Sequence, residues 1–192
     1  DLGASGYLTF IDNNTIAMFP EDGRFDVDVS SYKSKDTIPD EIYKCLPITV
    51  TASSTLAPGN GKTYDAKNLT DRDPATVWSE GEKGLGEGTI LTVDLGKSES
   101  LGAIYIRNGH HGSKELHQKN GKPKTIELNF NDGTEPKKIT CNLNFVDGWD
   151  VIYIGTECSS FTIKILEAEA GTEYDDVCIS DIEVYSAKLW TD

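Results

Sequence analysis

The chain has 192 residues, room for one ordinary domain with a sizeable core and a short extension but not for two full domains. Eighteen basic residues against 32 acidic ones leave a formal net charge of -14, which repels a phosphate backbone or an anionic membrane surface and excludes nucleic acid as a partner. The apolar runs at 90–95 and 101–106 fall far short of the roughly 20 residues that cross a bilayer, so no direct membrane insertion is expected.

In chain order, the first signals are apolar segments at 8–11 and 16–19 and the alternating Phe25-Asp26-Val27-Asp28-Val29. They predict a small unit of two or three strands. A polar, charged stretch at 30–40 follows, and Pro39 and Pro47 flank Cys45, which places a boundary near 44–48. The expected organisation is an N-terminal β-rich extension over 1–46, or the tail of a preceding domain, and a main domain over 47–188.

Beyond the boundary, period-two alternation dominates: Leu91, Val93 and Leu95; Ile104 and Ile106; Ile126, Leu128 and Phe130; Phe161, Ile163 and Ile165. Each run reads as a half-buried strand. Turn signals separate them at Gly81 to Gly88, Asn120-Gly121, Asp132-Gly133 and Asp147-Gly148, and no window carries a helical period of useful length. The pattern predicts an all-β fold, an antiparallel two-sheet sandwich whose inward residues interdigitate.

The densest chemical signal is the stretch from Asn68 to Trp78, where Asp71, Asp73 and Thr76 crowd oxygen atoms into a non-regular segment. Calcium takes six to eight oxygens with tolerant geometry, so such a turn suits it better than zinc or magnesium. On the residues alone, the stretch is equally a solvated acidic turn. Cys45, Cys141, Cys158 and Cys178 show no C-x-x-C spacing; they permit up to two disulfides in three pairings, or free thiols. The histidines, His110, His111 and His117, show no zinc spacing. The glycine cluster at 84–88 leads into a strand and not a helix, so it lacks the helix terminus of a phosphate loop.

Three segments in order, Ala52-Ser53-Ser54-Thr55-Leu56, Asn68 to Trp78, and Ile179-Ser180-Asp181-Ile182-Glu183-Val184-Tyr185, resemble the opening, calcium loop and closing strand of discoidin domains, the coagulation factor 5/8 type C group. A narrower likeness runs through Trp78-Ser79-Glu80-Gly81, Gly84-Leu85-Gly86-Glu87-Gly88, Ile106-Arg107-Asn108-Gly109-His110, Asn120-Gly121-Lys122-Pro123-Lys124 and Tyr174-Asp175-Asp176-Val177-Cys178. It is similar to the NADase-type glycan-binding module of the galactose-binding-like superfamily, over roughly residues 50 to 186. The resemblance implies a jelly-roll β-sandwich, a structural Ca2+ that ties the two ends of the domain together, and a non-catalytic carbohydrate-binding role. The implied metal set is Asn68, through carbonyls near it, with Asp71, Asp73, Thr76 and Asp181. The family usually has Gly where Arg72 stands and Glu where Asp181 stands.

Sugar recognition needs an aromatic face and planar polar groups, which loops at one end of a sandwich can supply. The expected glycan-facing set is Trp78, Glu80, Arg107, Asn108, His110, His111 and Tyr174, with Trp78 open to a second reading as a core anchor and Tyr174 as a cap. The expected partner is a glycan or glycoconjugate, bound by a monomer or by part of a larger surface protein. The chain opens on Asp1 without a leader-like segment, as a trimmed mature protein does, so secretion or cell-surface display, including by a bacterial lipoprotein anchor, is expected. The alternative function is a protein-binding adhesin module. A glycan-active hydrolase ranks behind both, because carboxylate pairs such as Asp175 and Asp176 arise by composition among 32 acidic residues.

Overall fold

The computed structural model describes residues 45–59, 61–130, 137–143 and 148–186 with their side chains, and the backbone of strands at 6–10, 15–20, 25–28 and 188–190. The predicted turn at Asp132-Gly133, Asp147, and the polar stretch at 30–40 lie outside the described residues.

Three short strands, β1 (Gly6–Phe10), β2 (Thr15–Pro20) and β3 (Phe25–Asp28), form an antiparallel meander where the alternation predicts one. The sandwich follows: β4 (Thr49–Ala52), a 3-10 turn at Ala66–Thr70, β5 (Trp78–Ser79), β6 (Ile90–Asn108), helix α1 (Lys114–Lys119), β7 (Lys122–Phe130), β8 (Lys137–Asn142), β9 (Asp150–Glu169) and β10 (Cys178–Ser186). A last strand, β11 (Lys188–Trp190), returns to pair with β1, so the meander's sheet runs β11-β1-β2-β3.

The sandwich strands are hydrogen-bonded in the order β5-β10-β6-β9-β7-β8, with β4 also pairing on β6. What makes two layers of this one sheet is the long ribbon of β6 and β9. It pairs from Ile90↔Lys164 to Ile106↔Asp150, with register shifts at Asp94/Glu99 and Leu101/Ala103. Extra residues in a ladder bend it, and Gly96 (φ 74°) and Gly155 (φ 61°) take the left-handed conformations such bends need. Before the bend β6 pairs with β4; after it, with β10. The two halves therefore face each other, and Leu91, Val93, Leu95, Leu101, Ile104 and Ile106 share one buried cluster with Ile126, Leu128, Ile163, Ile165, Ile182 and Val184. The result is an all-β, antiparallel two-sheet jelly-roll sandwich with an N-terminal β extension.

Helix α1 is absent from the sequence expectation for a physical reason. Six residues are too few to show a period, and the helix is held by its ends: the Ser113 hydroxyl accepts from the Leu116 N–H at 3.1 Å, and the Asn120 amide donates to the Leu116 carbonyl at 2.8 Å. No disulfide joins any two of Cys45, Cys141, Cys158 and Cys178.

Phe161 lies on β9 at 2% exposure, its ring 5.3 Å from that of Phe130 on the neighbouring strand β7. Phe161→Ala is expected to cost about 3–5 kcal/mol in urea unfolding, whereas Thr92→Ala, outward-facing on the same ribbon, changes stability by less than about 0.5 kcal/mol.

Candidate functional site

The rim at one end of the sandwich is assembled around the start of β10. The loop at 170–176 docks on α1: Tyr174 N–H donates to the Lys119 carbonyl at 2.9 Å, Thr172 N–H to the Gln118 carbonyl at 3.0 Å, and Lys119 pairs with Glu173 at 3.0 Å. Gly171 lies so close to the Lys119 carbonyl that no Cβ fits there. The docking leaves the Tyr174 ring 43% exposed at the edge of a cavity of about 350 Å3. Leu56, Lys62, Tyr64, Val77, Ser79, His110, Leu116, Asn120, Asp176 and Cys178 line the rest of that cavity.

His110 is only 6% exposed. Its Nδ1 accepts from the Gly112 N–H at 3.2 Å, which leaves the ring proton on Nε2. Burial, reinforced by Lys62, His111 and His117, lowers its pKa to about 4, so the ring is neutral at physiological pH. His111 and His117 stand behind it, rings 4.7 Å apart, and both donate from Nε2 to the Asn108 carbonyl, at 2.8 and 3.1 Å.

Of the expected glycan-facing residues, the structure brings His110 and Tyr174 into one cavity. Trp78 is a correction: it is fully buried, its Nε1 donates to the Ser54 carbonyl at 3.1 Å, and its ring belongs to the core, with no face left for a sugar. Glu80 is 1% exposed; its Oε2 accepts from the Glu82 N–H at 2.6 Å, Gly86 closes over the carboxylate, and burial raises its pKa. Asn108, also buried, donates to the Pro123 carbonyl at 2.9 Å and positions the loop without reaching the cavity. Arg107 points to the outer face of β6, 3.2 Å from Asp181 and 4.3 Å above the Trp149 ring. Asp176 belongs to the same 174–176 loop as the expected Tyr174, while Lys62, Tyr64 and Asn120 were not legible as site residues, because the segments at 56–64 and 120–121 carry only turn signals.

In the acidic loop, Asn68 is buried and donates both amide hydrogens, to the Thr63 carbonyl at 3.0 Å and the Val77 carbonyl at 2.8 Å, which closes the loop. Asp71 accepts from the Asp73 N–H at 2.9 Å and from the Thr76 hydroxyl at 2.8 Å. The Asp73 carboxylate turns onto the Ala75 N–H at 2.9 Å. Asp181, 1% exposed on β10, has no hydrogen bond of good geometry to either oxygen; burial above all, with Asp71 nearby, raises its pKa to about 6 against the opposing pull of Arg107. Among the described residues no three His, Cys, Asp or Glu side chains group as a cation cage. The expected gathering of three carboxylates is thus reduced to Asp71 and Asp181, because Asp73 is spent on its own turn. Arg72 stands at φ 61°, where glycine is usual, and its guanidinium reaches Glu183 at 3.0 Å and the Cys45 Sγ at 3.1 Å.

A search of curated protein sequences finds no match. Among solved structures, the chain is similar to the family 32 carbohydrate-binding module of C. perfringens NanJ in complex with galactose: TM-score 0.57, 17% identity, 76% of this chain and 100% of that one. It is also similar to the CBM32-5 module of CpGH89 from Clostridium perfringens in complex with GalNAc-β-1,3-galactose: TM-score 0.57, 22% identity, 73% and 99% covered. A third likeness is to the CBM32 of AlyQ in complex with 4,5-unsaturated mannuronic acid: TM-score 0.53, 16% identity, 73% and 97% covered. These likenesses establish the shared sandwich. The sequence itself matches the family model described as NAD glycohydrolase translocation F5/8 type C domain over residues 42–185, most of its length, and the chain belongs to that family.

Proposed function

We propose that this domain is a non-catalytic carbohydrate-binding module, exported or displayed at a cell surface, whose sugar site is the cavity between His110 and Tyr174. The observation that carries the reading is the pairing of an exposed aromatic ring with a fixed N–H donor at one cavity of about 350 Å3, within the size range of small-molecule sites. A sugar ring can lay its apolar face on Tyr174 while a hydroxyl or carbonyl oxygen accepts from His110 Nε2. That solved modules of the same sandwich are held with galactose or GalNAc-β-1,3-galactose supports the ligand class.

Tyr174→Ala, at an exposed position, is expected to fold normally and to lower binding on a glycan array at least about tenfold; unchanged binding would move the site elsewhere. Affinity should be level from pH 8 to 5, since His110 with a pKa of about 4 does not change charge there. The same depressed pKa sets a sign for stability. The unfolded imidazole protonates near 6.5, so the contribution of His110 is intact above that pH and is lost as pH falls toward 4. A His110→Gln variant should therefore lose less melting temperature than the parent between pH 6.5 and 4.

The acidic loop fits a structural calcium ion. The buried Asp181 carboxylate, whose oxygens have no hydrogen bond of good geometry, the Asp71 carboxylate, the Thr76 hydroxyl and backbone carbonyls near Asn68 would supply the oxygen-only donor set that calcium prefers. When bound, the ion supplies positive charge that offsets the two carboxylates and fastens the loop to the last sandwich strand. Calcium at a hundredfold excess over its Kd should raise the melting temperature by about 5–10 °C over chelator, and Asp181→Asn should abolish the difference. Equal midpoints for the parent in calcium and in chelator would remove the ion from this reading.

A further inference from the structure

The cavity lining carries both signs of charge, in Lys62 and Asp176. Lys62 is exposed, and its ammonium has no ion pair or hydrogen bond among the described residues. Lys67, Lys97, Lys119, Lys124 and Lys138 each lie within 3.5 Å of a carboxylate, whereas Lys62 shares its unpaired state with Lys83, Lys114 and Lys164 and alone among those four lines this cavity. His110, nine-tenths buried, holds its Nδ1 on the Gly112 N–H, and its Nε2–H has no partner among the described residues. Both groups are donors in the lining of the same cavity, and the charge of Lys62 acts on the His110 ring. Asp176 lines it as well, grouped with Asn120 and Cys178. Tyr64, whose hydroxyl also lacks a partner among the described residues, adds a donor to the lining.

An ammonium can donate to the hydroxyls of a neutral hexose, but its charge-assisted bond to a carboxylate is roughly twice as strong. We propose that the cavity selects an acidic sugar, one bearing a carboxylate, with the anionic group seated between the Lys62 ammonium and the Nε2–H of His110 and the sugar hydroxyls turned toward Asp176. This rests on the carbohydrate-binding reading above and narrows its ligand class. The chain as a whole is strongly acidic, so a preference for an anion is made locally by these donors and must weaken as salt screens it.

The test is a glycan array carrying neutral, uronate-containing and sialylated members, probed in duplicate with one copy methyl-esterified at its carboxyl groups. The whole chain is applied as parent and as Lys62→Gln, a substitution at an exposed position that leaves the fold intact. The expected result is binding to acidic members about tenfold or more tighter than to their esters, lowered by added salt, with Lys62→Gln reducing the acids to the level of the esters. Binding to neutral members alone, indifference to esterification, or an acid preference that survives Lys62→Gln would each overturn the inference and leave the carbohydrate reading standing. Failure to bind any member overturns that reading, and this inference with it.

Discussion

Five residues around the start of β10 hold the rim together. The Asp176 carbonyl accepts from the Gly121 N–H, the Val177 carbonyl from the Glu80 N–H and the Ser79 hydroxyl, and the Cys178 carbonyl from the Gly109 N–H. The Cys178 N–H in turn donates to the Gly121 carbonyl at 3.0 Å. The buried Ser180 hydroxyl donates to the Gly109 carbonyl at 2.9 Å and accepts from the His111 N–H at 2.9 Å, and Asp181 faces Arg107. Polar groups buried this deeply cost about 1–3 kcal/mol each if left unpaired, so none of these loops can move without stripping partners from the same strand. The cavity walls are therefore coupled, and a ligand meets a preformed shape whose ordering cost has been met in folding.

Electrostatics at the outer face of β10 follow from the same crowding. Asp71, Asp181 and Glu183 approach one another there, and Arg107 and Arg72 answer part of their charge. The answer is incomplete at Asp181, because burial and Asp71 outweigh Arg107 and the carboxyl titrates near 6. Arg72 adopts a left-handed backbone that costs a non-glycine residue about 1–2 kcal/mol, and its contacts with Glu183 and Cys45 offset that strain by linking the loop both to β10 and to the residue that opens the sandwich. A glycine there would relieve the backbone and lose the link. The loop is thus tethered to β10 by the Arg72–Glu183 ion pair.

The strands were legible in the sequence because the pleat makes alternation a local property. Leu91, Val93, Leu95, Ile104, Ile106, Ile126, Leu128, Phe130, Phe161, Ile163 and Ile165 all read as inward and all are buried. What alternation does not encode is where a long ribbon bends. β6 runs 19 residues and β9 runs 20 through their bulges, and the fold over the core is set by Gly96, Gly155 and pairing between segments distant in sequence. The partner of β1 was hidden for a similar reason, since β11 lies at the other end of the chain. At the rim, His110 and Tyr174 stood beside recognisable strand ends, while Lys62 and Tyr64 sit in a loop whose course depends on what it packs against.

Trp78 shows how one short strand can mislead about a site and still build it. β5 has two residues, too few for alternation to reveal which face is inward. The sequence marks Trp78 as the conspicuous aromatic near the rim, yet its neighbours Val77 and Ser79 are the ones that line the cavity, and the indole between them turns the opposite way into the core. Burying a ring of that size fixes the strand in place, and with it the cavity floor. The aromatic left at the edge is Tyr174, kept 43% exposed by a loop that Gly171 presses against α1. The buried anchor and the aromatic at the rim are therefore separate residues with opposed placements: one ring is withdrawn from water and the other stays open to it.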